Sequence, residues 1–257
     1  MELYVFSISH YSERARWALE LSGRPFQVRV LTPGLHLVTM RRLRAKRTYV
    51  PLLVGGDLKI QGSDRILDWL VSEGGLEQLD APLPERERAR ALEAQLDADV
   101  GHALRRLLYA PLLQHERRLV HDMWTRDAPA WHGAALWLMW PVVSRQVRAM
   151  YDCTPAGIAR ATDDFDRCWQ QLEDRLADRP YLLGDRFTRT DLSAAALLAP
   201  LVHPREHPFR WPNPLPASVQ PLYDRYAGRP LWRWVERVYA DHRTSGLTDN
   251  PPRRGSA

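Results

Sequence analysis

Phe6-Ser-Ile-Ser-His-Tyr-Ser-Glu-Arg-Ala-Arg-Trp-Ala-Leu-Glu-Leu-Ser-Gly23 is the stretch from which the rest of the chain is read. Residues 2–7 alternate as a strand does, and hydroxyl side chains crowd the turn that follows. A helix leaves that turn from about residue 11, with Ala15, Ala18, Leu19 and Ser22 on one face. Gly23 can close it in the left-handed conformation, and Pro25 prevents its continuation. The first turn of a helix offers unpaired N–H groups and a partial positive charge, so an anion is stabilised there. Ser9 and Ser12 lie where that field is strongest.

Residues 26–31 read as a second strand, and 32–49 as a loop with a short basic helix around Leu43. Val50-Pro51-Leu-Leu-Val54, the turn Gly55-Gly-Asp57 and Leu58-Lys-Ile-Gln61 make a hairpin, because glycine pairs supply the positive φ angles of tight turns. Ser63 is placed to N-cap a helix whose apolar side is Ile66, Leu67, Trp69 and Leu70. Strand, helix, strand, helix, strand, strand, helix in about 75 residues predicts a compact α/β domain with a mixed sheet.

The strand signal stops after Gly74-Gly75, and residues 78–84, with Pro82 and Pro84, read as a linker. Beyond it the pattern is helical. Ala89, Leu92, Leu96, Val100, Ala103, Leu104, Leu107 and Leu108 form one apolar stripe, and residues 131–151 form a tryptophan-rich segment. Thr154-Pro155 opens a long amphipathic helix, with Thr154 as N-cap and Pro155 at the first helical position. Thr188 and Asp191 form a capping-box variant ahead of an almost wholly apolar helix, which is expected to be buried. A proline-rich loop over 204–216 and a last helix over 231–242 follow. The expected division is a first domain over 1–77, a linker over 78–85, an all-helical domain over 86–244 and a disordered tail over 245–257.

The apolar share, 45% of 257 residues, is enough for real cores. No run is long and apolar enough to span a bilayer, and the chain starts directly in a strand, so a cytoplasmic protein is expected. The net charge of +5 comes from arginines alternating with acids along helical faces. That is a solvated surface rather than a nucleic-acid footprint. Cys153 and Cys168 lie in helix-like sequence and are expected to be buried and inert.

The sequence resembles the cytosolic glutathione S-transferase superfamily over about residues 1–243. Ser9-His-Tyr-Ser-Glu-Arg-Ala-Arg-Trp-Ala-Leu is similar to the Ser-Pro-Phe/Tyr-x-x-Arg-Val-Arg-x-Ala-Leu of its serine-type classes. Val50-Pro51-Leu-Leu-Val, followed by Gly62-Ser63-Asp-Arg-Ile-Leu-Asp-Trp-Leu, resembles its Val-Pro-x-Leu segment and its Glu/Gln-Ser-x-x-Ile-x-x-Tyr-Leu helix start. Tyr181-Leu-Leu-Gly-Asp-Arg-Phe-Thr-Arg-Thr-Asp-Leu matches its C-terminal folding signature. The resemblance implies a thioredoxin-like α/β domain (βαβ-α-ββα, mixed sheet), an all-α C-terminal domain and a homodimer.

It also implies site roles. Ser9 would stabilise the glutathione thiolate, with Ser12 and Tyr11 as the alternatives. Pro51 would be the family's cis-proline, turning the Val50 backbone toward the tripeptide's own amide. Ser63 would hold the γ-glutamyl carboxylate at its helix start. Gly62 departs from the family, which places Glu or Gln there to receive the ligand's amino group; Asp64 is the candidate replacement. Tyr49 stands for a common lysine and His10 for the usual proline. Arg44, Lys46 and Arg47 are candidates for the glycyl carboxylate. His10, Tyr109 and Trp124 are the candidates for the electrophile site.

The expected function is therefore a glutathione transferase attacking an apolar electrophile, with glutathione as co-substrate, no metal, and a role in detoxification. The absence of a cysteine before residue 153 disfavours disulfide exchange. A glutathione-dependent isomerase or tailoring enzyme, and a non-catalytic binding or assembly protein of the same fold, remain open. His115 and His121 are six residues apart, which does not give one helical face, and both are expected at the surface. His203 and His207 are separated by Pro204, which argues against a helical metal site. Trp124, Trp131, Trp137 and Trp140 serve either a pocket or packing.

Overall fold

Leu3 organises the sheet from the middle of strand β1 (Glu2–Val5). It lies opposite Val28 of the parallel strand β2 (Gln27–Val30) and opposite Leu53 of the antiparallel strand β3 (Leu52–Gly55). Strand β4 (Leu58–Gln61) closes the order β2-β1-β3-β4. Successive side chains on a strand point to opposite faces. Leu3, Val5 and Leu53 accordingly join the main core beneath α1 (His10–Leu21) and α3 (Ser63–Ser72). Leu52 and Val50 turn the other way, onto Met40 of α2 (His36–Arg42). The computed structural model describes residues 1–73 and 75–243; the tail expected to be disordered, 245–257, lies outside them.

Helix α2 lies earlier than the basic run suggests. Met40 is its buried anchor, Leu43 is its C-cap and Arg44 takes a positive φ of 49°, so the basic residues after it are solvated loop. The stripe over 89–108 is likewise not one helix. It is α4 (Arg86–Gln95), a π-helical segment over Leu96–His102, and α5 (Ala103–His115). Gly101 sits in the π segment because a Cβ there would overlap the Tyr11 hydroxyl. Stretches expected to be linker hold single 3₁₀ turns at Glu77–Leu79 and Leu83–Glu85, with Leu79 and Ala81 buried.

Helices α6 (Arg117–Thr125) and α7 (Ala130–Met150) pack on one another. His121, expected at the surface, is buried between them: its Nε2 lies 3.0 Å from the Gly133 carbonyl and its ring stacks on Trp137. Helix α8 (Pro155–Leu176) begins as its Thr154-Pro155 start predicts, the Thr154 hydroxyl accepting from Gly157 N–H at 3.1 Å. Cys168 on α8 is buried, and burial pushes its thiol up to about 12; Cys153, by contrast, is only half-buried. Every residue of α9 (Arg189–Val202) is buried. Helix α10 (Gln220–Tyr226), which the sequence reading did not anticipate, and α11 (Pro230–His242) complete the described fold.

Helix α9 packs against α1, so one apolar core runs from Leu3 to Tyr239. The end of α11 secures that junction. Trp17 of α1 is fully buried and donates to the His242 carbonyl at 3.2 Å. Arg243 pairs with the buried Glu13 at 2.8 Å and with Glu20, and lies over the Trp17 ring.

Candidate active site

Ser9 is the N-cap of α1: it has extended backbone angles, and its hydroxyl oxygen accepts from Ser12 N–H at 3.3 Å. A serine oxygen that accepts at a cap still carries a proton to donate. Ser9 lines a cavity of about 370 Å³ between the sheet domain and helices α5, α6 and α7. His10, Tyr49, Val50, Tyr109 and Trp124 line the same cavity.

The alternatives to Ser9 lie elsewhere. Ser12 is buried, accepts from Phe6 N–H at 3.4 Å and lines a separate cavity of about 110 Å³. The Tyr11 hydroxyl donates to the Asp97 carbonyl at 3.2 Å in the π segment, and burial pushes it up to about 12. Neither lines the larger cavity.

The Val50–Pro51 bond is cis. The loop before it is fastened by Gln61, a residue without an assigned role in the sequence reading. Its amide donates to the carbonyls of Arg47 at 2.9 Å and Tyr49 at 2.7 Å, and accepts from Arg47 N–H at 3.0 Å. Lys46 is exposed on that loop, as are Arg44 and Arg47.

Ser63 is the first residue of α3 rather than its cap, which is Gly62. The reason is a stronger partner. Arg14 donates to the Ser63 hydroxyl from Nε at 2.9 Å and Nη2 at 2.6 Å, and pairs with Asp97 at 2.8 Å. With its lone pairs facing a guanidinium, the hydroxyl proton is free to face an anion beside the α3 N-terminus. Arg14 stands in the opening sequence stretch, but only folding brings it to Ser63. Gly62 has φ +105°, a conformation that side-chain-bearing residues rarely adopt, and Asp64 beside it is exposed.

His10 carries electrostatic information. It is buried, its Nε2 has no hydrogen-bond partner among the described residues, and its pKa is held well below the usual histidine range. Burial is the main cause, followed by the charges of Arg105 and Arg14. Burial by itself carries no sign, but the Arg105 and Arg14 guanidiniums that act on this ring bring positive charge to the Ser9 side of the cavity, and positive charge favours a thiolate.

The histidines also set the acid response. Burial lowers His10, His207 and His203, the last to about 4. In the unfolded chain these rings take up protons near 6.5. Their contribution to stability is thus fully present above that pH and is lost as the pH falls from about 6.5 toward 4. Denaturant midpoints measured across that range are expected to fall steadily; a flat profile would contradict the buried neutral rings.

Among the described residues, no group of three or more His, Cys, Asp or Glu is arranged to hold a metal ion. His203 caps α9 in the left-handed conformation, its Nε2 2.7 Å from the Pro200 carbonyl. Of the four tryptophans, Trp124 lines the cavity and Trp140 is buried packing, while Trp131 and Trp137 are exposed on α7.

Residues 3–78 match the family model for the glutathione S-transferase N-terminal domain, and residues 155–237 match that for the C-terminal domain. No curated protein matches the sequence. Among solved structures, the chain is similar to human glutathione-S-transferase T1-1 in its apo form. That likeness is 20% identity, covering 93% of this chain and 82% of the other, with a TM-score of 0.60. It is similar to the theta-class enzyme of the citrus canker pathogen Xanthomonas axonopodis pv. citri with glutathione bound (18% identity, 90% and 94% covered, TM-score 0.55). A human theta-class transferase in complex with the glutathione conjugate of 1-menaphthyl sulfate gives 20% identity, 93% and 81% covered, and a TM-score of 0.59. Helices α4 to α7, which supply Tyr109 and Trp124, lie between the two matched segments.

Proposed function

We propose that this chain, which belongs to the glutathione S-transferase family, transfers glutathione to an apolar electrophile with Ser9 stabilising the thiolate. The observation that carries this reading is Ser9 itself: an N-capping hydroxyl with a proton to spare, on the wall of a cavity it shares with Val50, Tyr109 and Trp124. A free thiol of the cysteine kind has a pKa of about 8.5, so little is thiolate at neutral pH. A hydrogen bond to a charged group is worth about 1.5–3 kcal/mol, which lowers that pKa by roughly one to two units.

In this reading the thiolate attacks the electrophilic carbon, the carbon–sulfur bond forms, and the leaving group departs with its electron pair. Val50 before cis-Pro51 meets the tripeptide backbone, and Ser63, polarised by Arg14, meets the γ-glutamyl carboxylate. Lys46 or its basic neighbours Arg44 and Arg47 meet the glycyl end, and Asp64 takes the amino group that no side chain at Gly62 can reach. His10, Tyr109 and Trp124 form the electrophile wall. An aromatic wall suits an aromatic electrophile, in keeping with the menaphthyl conjugate bound by the human theta-class protein. The reading extends to a cytoplasmic homodimer that detoxifies without a metal.

Calorimetry with glutathione tests the reading. Saturable binding is expected, together with thiolate absorbance of the bound tripeptide at neutral pH. Absence of binding at millimolar ligand would overturn it and favour a non-catalytic use of the fold, to which the missing side chain at Gly62 would then point.

A further inference from the structure

The cavity has one fixed charge. Arg105, on α5, lines it, and among the described residues no Asp or Glu does. The buried arginines Arg14, Arg189 and Arg243 each pair with a carboxylate. Arg105 is half-buried and, among the described residues, has no carboxylate partner. Its Nε donates to the Gly101 carbonyl at 3.3 Å and its Nη1 to the Tyr151 hydroxyl at 3.4 Å, while Nη2 has no hydrogen-bond partner. The guanidinium carbon lies 4.8 Å from the ring centroids of both Tyr11 and Tyr151, so two aromatic rings hold the fork in place. Withdrawing a cation from water without a counter-ion is costly, and an anion that completes the pair recovers that cost.

The surroundings define the rest of the ligand. Tyr151 stacks on Tyr109 with centroids 5.3 Å apart, and Trp124 donates to the Tyr109 hydroxyl at 3.4 Å. An aromatic wall thus leads away from the guanidinium. The Tyr11 ring that supports Arg105 also contacts His10, the neighbour of Ser9, at 4.6 Å between centroids. Arg105, Tyr109, Trp124 and Tyr151 lie outside both matched family segments, whereas His10 and Tyr11 lie inside the first.

We propose that Arg105 binds a carboxylate or sulfonate carried by an aromatic second substrate, with the ring of that substrate against Tyr109 and Trp124. A bidentate guanidinium–carboxylate pair in a partly dry cavity gives both affinity and orientation. What the bound molecule then undergoes rests on the transferase reading; the binding itself does not.

The test is calorimetry of the full chain with 2-naphthoate and with its neutral counterpart 2-naphthamide, in the absence of glutathione. The naphthoate is expected to bind at least about tenfold more tightly, as a charge-assisted pair requires. Arg105→Gln is expected to remove that difference while leaving the amide's affinity, and Arg105→Lys to keep part of it. Equal binding of the two ligands by the unaltered chain would overturn the proposal, whether or not the variants fold. So would a preference that survives Arg105→Gln. Repeating the titration at saturating glutathione separates the two sources of a carboxylate. Simultaneous binding is expected, and mutual displacement would assign the guanidinium to glutathione itself. A chain that prefers naphthoate but never binds glutathione would keep this site and lose the transferase reading; the reverse result would do the opposite.

Discussion

Asp191→Ala is expected to lower the thermal midpoint by on the order of 10 °C. Asp191 is fully buried at the start of α9. One carboxylate oxygen accepts from Leu182 N–H at 2.8 Å; the other accepts from Thr188 N–H at 2.9 Å and the Thr188 hydroxyl at 2.7 Å. Burial raises its pKa and these three donors oppose the rise. Removing the carboxylate leaves two backbone N–H groups buried without partners, each costing about 1–3 kcal/mol, and uncaps the helix. A total of about 3–5 kcal/mol is reasonable, and each kcal/mol moves the midpoint of a chain this size by about 2–4 °C. Helix α9 packs on α1, so the loss spreads to the helix that carries Ser9. Calorimetric or circular-dichroism melts decide the matter: a fall of less than about 2 °C would show that the buried carboxylate is not holding the junction.

Ser9→Ala is expected to raise the pKa of the bound thiol by roughly one to two units and to lower the conjugation rate at pH 7 by roughly eight- to twenty-five-fold, the change in the thiolate fraction. The sign follows from the charge: a hydroxyl donor stabilises the thiolate and not the thiol, so its removal favours protonation. The rate loss should therefore shrink as pH rises toward the thiol's own pKa, a pattern that simple misfolding does not produce. Ser9→Ala also removes a cap worth about 1 kcal/mol, so Ser9→Thr, which keeps both hydroxyl and cap, is the control and should retain most activity. Ser12→Ala should leave the thiol pKa unchanged, since that hydroxyl faces the backbone of Phe6. An unaltered pH–rate profile in Ser9→Ala would remove the serine from the mechanism.

Local patterns made much of the architecture legible. Alternation over the first strand, the Gly55-Gly56 turn, Thr154-Pro155 and Thr188 with Asp191 are short-range signals, and each appears in the fold where its chemistry predicts. The place of Ser9 at the start of α1 was legible because its neighbours in sequence are also its structural context, whereas the cis bond before Pro51 was expected only from the family resemblance. Gln61 and Arg105 carried no comparable signal, and the motif position of Arg14 named no partner for it. Each looks like an ordinary polar residue until folding brings it to a partner far away: Ser63, the loop before Pro51, and the rings of Tyr11 and Tyr151. His121 misled for the same reason, since its burial depends on Gly133 and Trp137 of the next helix.

The sequence by itself determined a strand–turn–helix with serines at the helix start, a mixed-sheet domain, and an all-helical domain with a capping box at Thr188 and Asp191, because those features are written in neighbouring residues. Only the tertiary structure decided that α1 lies against α9, that Arg14 holds Ser63, and that, among the described residues, the cleft beside Ser9 contains one guanidinium with no acid to match it. Those are properties of groups brought together from about 50 to 180 residues apart, and no local period or spacing encodes which side chains a packed core leaves facing one another.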